Sequence, residues 1–163
     1  MRRWWSHLWA NQHDYRRYLS ADDLLAITEA IRRGEAGHLG QLKFAVESHL
    51  QPMAVWRGLT ARDRALRVFG ELNVWDTEAN SGVLIYLLTV ERDLEVVLDR
   101  AARRVLGPEV LDPLIASAIE LMRAGQTKAA VIFLIEAIHA VMRQAFPFEG
   151  RPDNELSDQA VIL

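Results

Sequence analysis

The stretch GVLIYLLTV, residues 82–90, constrains the fold of this chain more than any other segment. It has no charged side chain, so polar and apolar residues do not alternate as they would in a strand with one solvent-exposed face and one buried face. A strand of this kind must be covered on both sides. Glu91-Arg92-Asp93 then form a tight turn before a second apolar run, LEVVL at 94–98. Two strands joined by so short a turn predict an antiparallel hairpin with helices packed on both of its faces.

A third strand and several helices surround this hairpin in the sequence. The segment LKFAVES at 42–48 has the length and the Phe/Val content of a strand. Because a helical segment separates it from residues 82–90, the two strands should be parallel. The predicted fold class is therefore α/β: a three-layer α/β/α sandwich around a small mixed sheet, with C-terminal helices. Its strands are expected near 42–48, 82–90 and 94–98.

Helix boundaries are indicated by pairs of polar residues three positions apart. Ser20 with Asp23, and Thr60 with Asp63, have the spacing of N-cap interactions. Beyond the hairpin, helical periodicity predicts a short helix at 100–106 and two long helices at about 109–124 and 128–145.

Length and composition predict one domain with two flanking segments. The 163 residues divide into an aromatic and basic segment at 1–19, a folded domain at 20–147, and a polar tail with an apolar C-terminus at 148–163. A net charge of -3 gives no reason to expect nucleic acid as a partner. The absence of cysteine excludes disulfides, thiol catalysis and cysteine-ligated zinc. With no secretory signal and no apolar run long enough to span a bilayer, we expect a cytoplasmic protein, in one interpretation at the inner face of the membrane.

Oxygen-bearing side chains crowd the loop WDTEANSG that precedes the buried strand. Asp76, Glu78 and Asn80 are spaced at i, i+2 and i+4, so that an extended loop would aim three oxygens at one point. In the predicted hairpin Asp99 follows the strand beside this loop, and it is a fourth candidate. These four residues predict a metal site, but calcium takes about 6–8 oxygen ligands, so its affinity should be low. The alternative is a folded turn that is usually empty.

The aromatic N-terminus predicts a docking segment. Trp5, Leu8 and Trp9 fall on one helical face, with Trp4 beside them. We expect this face to cover the chain's own domain or to make a contact between copies. The alternative is peripheral membrane contact, which tryptophan and arginine together would suit. The apolar end, Val161-Ile162-Leu163, has two interpretations as well: packing across its own domain, which we favour, or adding as a strand to a partner's sheet.

The segment ALRVFGELNVWDTEANSGVLIYLLTVERDLEVVLDR resembles the TPM domain family. That family includes thylakoid-lumen and photosystem-repair proteins, and this chain is similar to its cytoplasmic bacterial branch. Two features depart from the family pattern. Ser81 stands where a second asparagine is usual, and Asp99-Arg100-Ala101-Ala102 stands where glycines are often found after the third strand. The resemblance implies an α/β/α fold, the calcium binding reported in some members and the acid phosphatase activity of a thylakoid branch. The matching residues are Phe69, Asn80, Gly82, Val83, Leu84, Arg92 and Val96.

Catalytic signatures are few. No phosphate-binding glycine loop, nucleophile elbow or metal-binding histidine spacing occurs in the sequence. His139, one turn after Glu136, is expected to be hydrogen-bonded or exposed. We therefore expect a non-catalytic binding or assembly module with a protein partner or self-association, and no cofactor beyond weakly bound Ca²⁺. The alternative is a weak divalent-cation-dependent phosphatase acting on phosphomonoesters through Asp76, Glu78 and Asp99.

Overall fold

The computed structural model describes residues 2–11, 13–148 and 156–163, with only the backbone of residues 2–4. Seven α-helices and four strands follow one another within these ranges, and a 3-10 helix at Asp14–Arg17 comes after the first helix. The helices are α1 (Arg2–Trp9), α2 (Ala21–Gly34), α3 (Pro52–Trp56), α4 (Ala61–Glu71), α5 (Arg100–Val105), α6 (Pro108–Arg123) and α7 (Thr127–Ala145). The strands are β1 (Gln41–Glu47), β2 (Gly82–Leu88), β3 (Asp93–Leu98) and β4 (Val161–Ile162).

The four strands form one mixed sheet in the order β3-β2-β1-β4. β1 and β2 are parallel, with Gln41 opposite Gly82, and β2 and β3 are antiparallel, with Val83 opposite Leu98. The predicted parallel pair and hairpin are both confirmed. The strand bounds shift by one or two residues from those expected, because Thr89 and Val90 belong to the turn.

Alternate residues of each strand pack into two separate hydrophobic cores, one on each side of the sheet. For this reason β2 has no solvent-exposed face. On one side Phe44 and Ile85 pack against α2, α6 and α7. On the other side Leu84 and Tyr86 pack against α3 and α4. All seven residues of β2 are buried. The three-layer α/β/α architecture predicted from the sequence is therefore present.

The helix starts predicted from polar pairs are confirmed in atomic detail. Ser20 and Asp23 form a capping box at the start of α2, in which each side chain accepts a hydrogen bond from the other residue's backbone N–H. Thr60 and Asp63 repeat this arrangement at the start of α4.

The C-terminal segment adds a strand that the sequence analysis did not place. β4 pairs in parallel with β1, with Ala45 opposite Val161, and the Leu163 N–H donates to the Val46 carbonyl at 3.0 Å. Leu156 is buried in the core on the α4 side. The apolar C-terminus thus packs on its own domain, as favoured above, while residues 149–155 lie outside the described part of the chain.

Candidate functional site

The polar loop at 76–81 is a folded turn held mainly by Thr77. The Thr77 hydroxyl accepts the Ser81 N–H at 3.0 Å, and the Thr77 carbonyl accepts the Asn80 N–H at 3.0 Å. Asn80 adopts a positive φ of 51°, which asparagine tolerates better than most residues. The Ser81 hydroxyl then donates to the Leu39 carbonyl at 2.8 Å, joining the turn to the entrance of β1.

Gly82 is required where this turn enters β2. A Cβ atom at this position would lie 1.8 Å from the backbone carbonyl oxygen of Val74. Because the obstacle is backbone, it cannot rotate away, and any other residue would displace the turn or the strand.

Asp99 lies beside this turn, as the hairpin geometry predicts. It caps α5 by accepting the Arg100 N–H on Oδ1 at 2.6 Å, and the neighbouring Ala101 N–H donates to the Asn80 carbonyl at 2.9 Å. Asp99 is buried, and its Oδ2 has no hydrogen-bond partner within the described part of the chain. Burying a carboxylate oxygen without a hydrogen-bond donor costs folding free energy. Asp99 Oδ2 is therefore the unusual polar atom beside this loop.

The predicted metal ligands do not converge around that oxygen. Asp76, Glu78 and Asn80 are exposed, whereas the buried oxygen-bearing residues of the loop are Thr77 and Ser81. Among the described residues, no three His, Asp or Glu side chains are grouped so that they could hold a metal ion. Calcium needs several converging oxygens, so the metal site at Asp76, Glu78, Asn80 and Asp99 stays a prediction.

A second candidate site lies at the opposite end of the sheet, where α1 is attached. His7 is buried: its Nδ1 accepts the Leu50 N–H at 3.0 Å, and its Nε2–H donates to the Glu91 carboxylate at 2.6 Å. These partners follow β1 and β2, so His7 fixes α1 to the ends of both strands. Farther along, the Tyr15 N–H donates to the Ser48 hydroxyl, and Leu19 is fully buried. The described residues before α2 are thus attached to the domain through His7, Tyr15 and Leu19.

The tryptophan face of α1 is only partly covered by the chain's own domain, which is one of the two contacts expected for it; a contact between copies stays a prediction. Trp5 is 50% exposed, Leu8 46% and Trp9 81%. The side chain of Trp4, also predicted for docking, lies outside the described residues. The physical reason for this partial cover is His7, which is buried on the inward face of the short helix, so that the apolar stripe lies to the side and outward.

Helix α3 extends this exposed face. Met53 and Trp56 are 59% and 71% exposed, and with Leu8 and Pro52 they line a groove of about 560 Å³. The sequence analysis does not identify these two side chains, because it places no helix or strand at 49–58. Pro52 followed by Met-Ala-Val-Trp is typical of a helix start with proline in its first turn. We call Trp5, Leu8, Trp9, Met53 and Trp56 the aromatic surface.

Arginines border the aromatic surface. Arg17 lines a shallow depression together with Trp9, and Arg57 and Arg67 line another together with Met53. All three arginines are exposed. The rim of the aromatic surface is therefore cationic, although the whole chain has a net charge of -3.

A buried histidine pair forms a third polar feature, between the loop before β1 and α7. The Gly40 N–H donates to His38 Nδ1, and His38 Nε2–H donates to His139 Nδ1, each at 2.9 Å. His139 Nε2 is buried without a partner among the described residues. Burial, with the charge of Arg143, lowers the pKa of His38 to about 4. Burial, with His38 and then Arg143, lowers the pKa of His139 to about 3.

Comparison with known proteins identifies the family of this chain. The TPM domain model matches residues 12–141, most of the chain. The chain belongs to the TPM domain family. The match includes the polar loop and both histidines of the buried pair, but it begins after α1.

Two solved structures share the fold of this TPM domain. The BA42 protein of the psychrophilic bacterium Bizionia argentinensis is similar with a TM-score of 0.77 and 23% identity, over 88% of this chain and 94% of that one. The N-terminal domain of a protein from P. gingivalis is similar with a TM-score of 0.65 and 15% identity, over 79% of each chain. A search of curated proteins finds no match. At these identities the likeness establishes the fold.

In the described part of this TPM domain, no helix combines the length and apolar composition needed to cross a bilayer.

Proposed function

We propose that this TPM domain is a non-catalytic binding module and that it engages its partner through the aromatic surface. One observation carries the proposal: five large apolar side chains, three of them tryptophans, are held exposed on two adjacent helices. Monomeric proteins rarely leave such a contiguous apolar patch uncovered, and a larger exposed patch marks an interaction site. A location in the cytoplasm, against the inner face of the membrane, belongs to the same proposal.

The way α1 is attached supports this function. Two hydrogen bonds to a buried histidine fix the orientation of an eight-residue helix that is too short to be stable alone. A helix serving only to cover the core would turn its tryptophans inward. Here the buried His7 occupies the inward face, and the apolar stripe is available to a partner.

Site-specific photo-crosslinking in living cells tests the binding role. A photoreactive amino acid replaces Trp9 or Trp56, and a matched control replaces Trp75, which is 53% exposed at the opposite end of the sheet. We expect reproducible adducts, with protein or with lipid, from positions 9 and 56 but not from position 75. Equal adducts at all three positions, or none at positions 9 and 56, would contradict the proposal.

The non-catalytic part is tested by a phosphomonoester assay with and without Ca²⁺ or Mg²⁺. We expect no turnover above that of a heat-denatured sample, because Asp76 and Glu78 do not converge with Asp99. Turnover that is abolished by Asp99→Asn, with unchanged unfolding, would overturn the non-catalytic assignment.

A further inference from the structure

We infer that the partner of the aromatic surface is the surface of a lipid bilayer with anionic headgroups. The inference rests on the proposed function, because it names the partner of the same site. It is carried by two independent features of the described residues: the kind of apolar side chain exposed, and the charge of the rim around it.

Tryptophan is the side chain best suited to a membrane interface. Its large ring favours the acyl boundary, while the indole N–H keeps a hydrogen bond at the headgroup level. Trp5, Trp9 and Trp56 supply three such rings on two adjacent helices, and Leu8 and Met53 line a groove with Trp56. Trp9 and Trp56, at 81% and 71% exposed, are the most exposed side chains of the aromatic surface. Shallow insertion would therefore begin with these two rings.

The arginine rim supplies the charge complementarity that an anionic surface requires. Arg17 shares a depression with Trp9, and Arg57 and Arg67 share one with Met53. Asp14 and Asp63 line the same depressions, so three arginines face two carboxylates and the rim keeps a net positive charge. The exposed pair between Arg17 and Asp14, at 3.6 Å, contributes little free energy, so little is lost when Arg17 turns to an anionic headgroup.

Charge is also unevenly distributed along the chain. Residues 1–19 contain four arginines and one aspartate, a net charge of +3 in a chain whose total is -3, so the remaining residues carry -6. An anionic membrane would attract residues 1–19 more strongly than the remainder of the chain as a whole. The same asymmetry would orient the protein with the aromatic surface toward the lipid.

Neither feature suffices alone. Shallow apolar insertion without charge gives marginal, reversible binding, and stable peripheral attachment takes an apolar anchor together with a basic patch. Each arginine near an anionic surface should raise the partition coefficient about five-fold. Each tryptophan that loses about half of its exposed area to lipid should raise it on the order of ten-fold.

The test is sedimentation of the full-length protein with vesicles of phosphatidylcholine alone and of phosphatidylcholine mixed with phosphatidylglycerol. We expect binding to the mixed vesicles, weakened by salt, and little binding to phosphatidylcholine. The double variant Trp9→Ala, Trp56→Ala should lower the partition coefficient about one hundred-fold, and Arg17→Gln with Arg57→Gln about twenty-five-fold. Trp75→Ala should bind as the unchanged protein does. Thermal unfolding of each variant confirms that it is folded.

The outcomes separate the membrane inference from the proposed function. Absence of vesicle binding, or equal losses for Trp75→Ala and for the double variant Trp9→Ala, Trp56→Ala, overturns the membrane inference. If positions 9 and 56 then crosslink to a protein, or to a second copy of this chain, the binding function stands with a different partner. If they crosslink to nothing, both proposals fall.

Discussion

At the scale of single residues, two buried histidines illustrate different uses of the same side chain. His7 has partners on both ring nitrogens, so its tautomer is fixed and it anchors α1. His139 has a partner on Nδ1, its ring lies against Gly34, and its Nε2–H is buried without an acceptor among the described residues. The sequence predicts that His139 is hydrogen-bonded or exposed. The hydrogen bond is confirmed, but its partner lies 101 residues away, which local patterns cannot reveal.

The histidine pair should make the stability of the protein depend on pH. The pKa values of His38 and His139, about 4 and about 3, lie below the usual 6.5, so the unfolded chain binds protons that the folded chain does not. Their contribution is present above about pH 6.5 and is lost as the pH falls toward 4. We expect the free energy of unfolding, measured with urea, to fall over this range by on the order of 3 kcal/mol for each histidine, beyond the change caused by other groups.

His38→Gln isolates this effect. It should lower stability at neutral pH but flatten the dependence between pH 6.5 and 4. His13→Gln, at an exposed histidine, should leave the dependence unchanged. An equal slope in the unchanged protein and in His38→Gln would show that the pair does not control the acid response.

Two glycines in helices provide a second prediction at this scale. A Cβ at Gly34 would lie 1.9 Å from the ring of His139, whereas a Cβ at Gly70 would meet nothing within 4 Å. Gly34→Ala should therefore destabilise the protein by about 1–3 kcal/mol through overpacking. Gly70→Ala should stabilise it by up to about 1 kcal/mol through helix propensity. Chemical unfolding measures both, and changes of the same sign would contradict the packing argument.

At the scale of elements, local signals located most helices and strands. The polar pairs at Ser20 and Thr60 fixed the starts of α2 and α4, because capping is an interaction across three residues. Helix α3 and strand β4 were missed for different reasons. The five residues of α3 are too few for a periodic pattern, although its proline is a recognisable start. The two residues of β4 form a strand only because β1 offers a free edge.

The attachment of α1 should depend on His7. His7→Ala removes the acceptor for the Leu50 N–H and the donor to Glu91, so we expect a loss of about 1–3 kcal/mol and faster hydrogen exchange along α1. Glu91→Gln keeps an acceptor for His7 and should cost less. Unchanged exchange in α1 after His7→Ala would mean that other contacts hold the helix.

Strand β4 should stabilise the domain through its backbone. Removing residues 161–163 deletes the pairing with β1, and we expect the free energy of unfolding to fall by about 1–2 kcal/mol. Ile162→Ala retains the pairing and trims a side chain that is 47% exposed, so it should cost less than about 0.5 kcal/mol. If the truncation costs nothing, the segment is free to pair with a partner's sheet, which is the alternative left open by its sequence.

At the scale of the whole molecule, strand topology predicts which residues are neighbours better than it predicts which side chains are buried. Reading β2 and β3 as a hairpin placed Asp99 beside Asn80, and the backbone hydrogen bond from Ala101 to Asn80 confirms that neighbourhood. Which oxygens point inward depended on the turn itself: Thr77 and Ser81 are buried, while Asp76 and Glu78 are exposed. The orientation of the aromatic surface also escaped prediction, since it follows from long-range bonds to His7.

Calcium provides a prediction for the molecule as a whole, because a ligand that binds only the folded state raises the stability of the entire domain. A site with a dissociation constant of ~10⁻⁴ M would add about 2.7 kcal/mol at ~10 mM Ca²⁺ and raise the melting temperature by roughly 5–10 °C. The exposed positions of Asp76 and Glu78 lead us to expect no such rise beyond that given by Mg²⁺ at equal concentration. Asp76→Ala is the control, since it removes a predicted ligand without disturbing a buried contact. A calcium-specific rise that disappears in Asp76→Ala would restore the metal site, and Asp99 Oδ2 would then be its buried ligand.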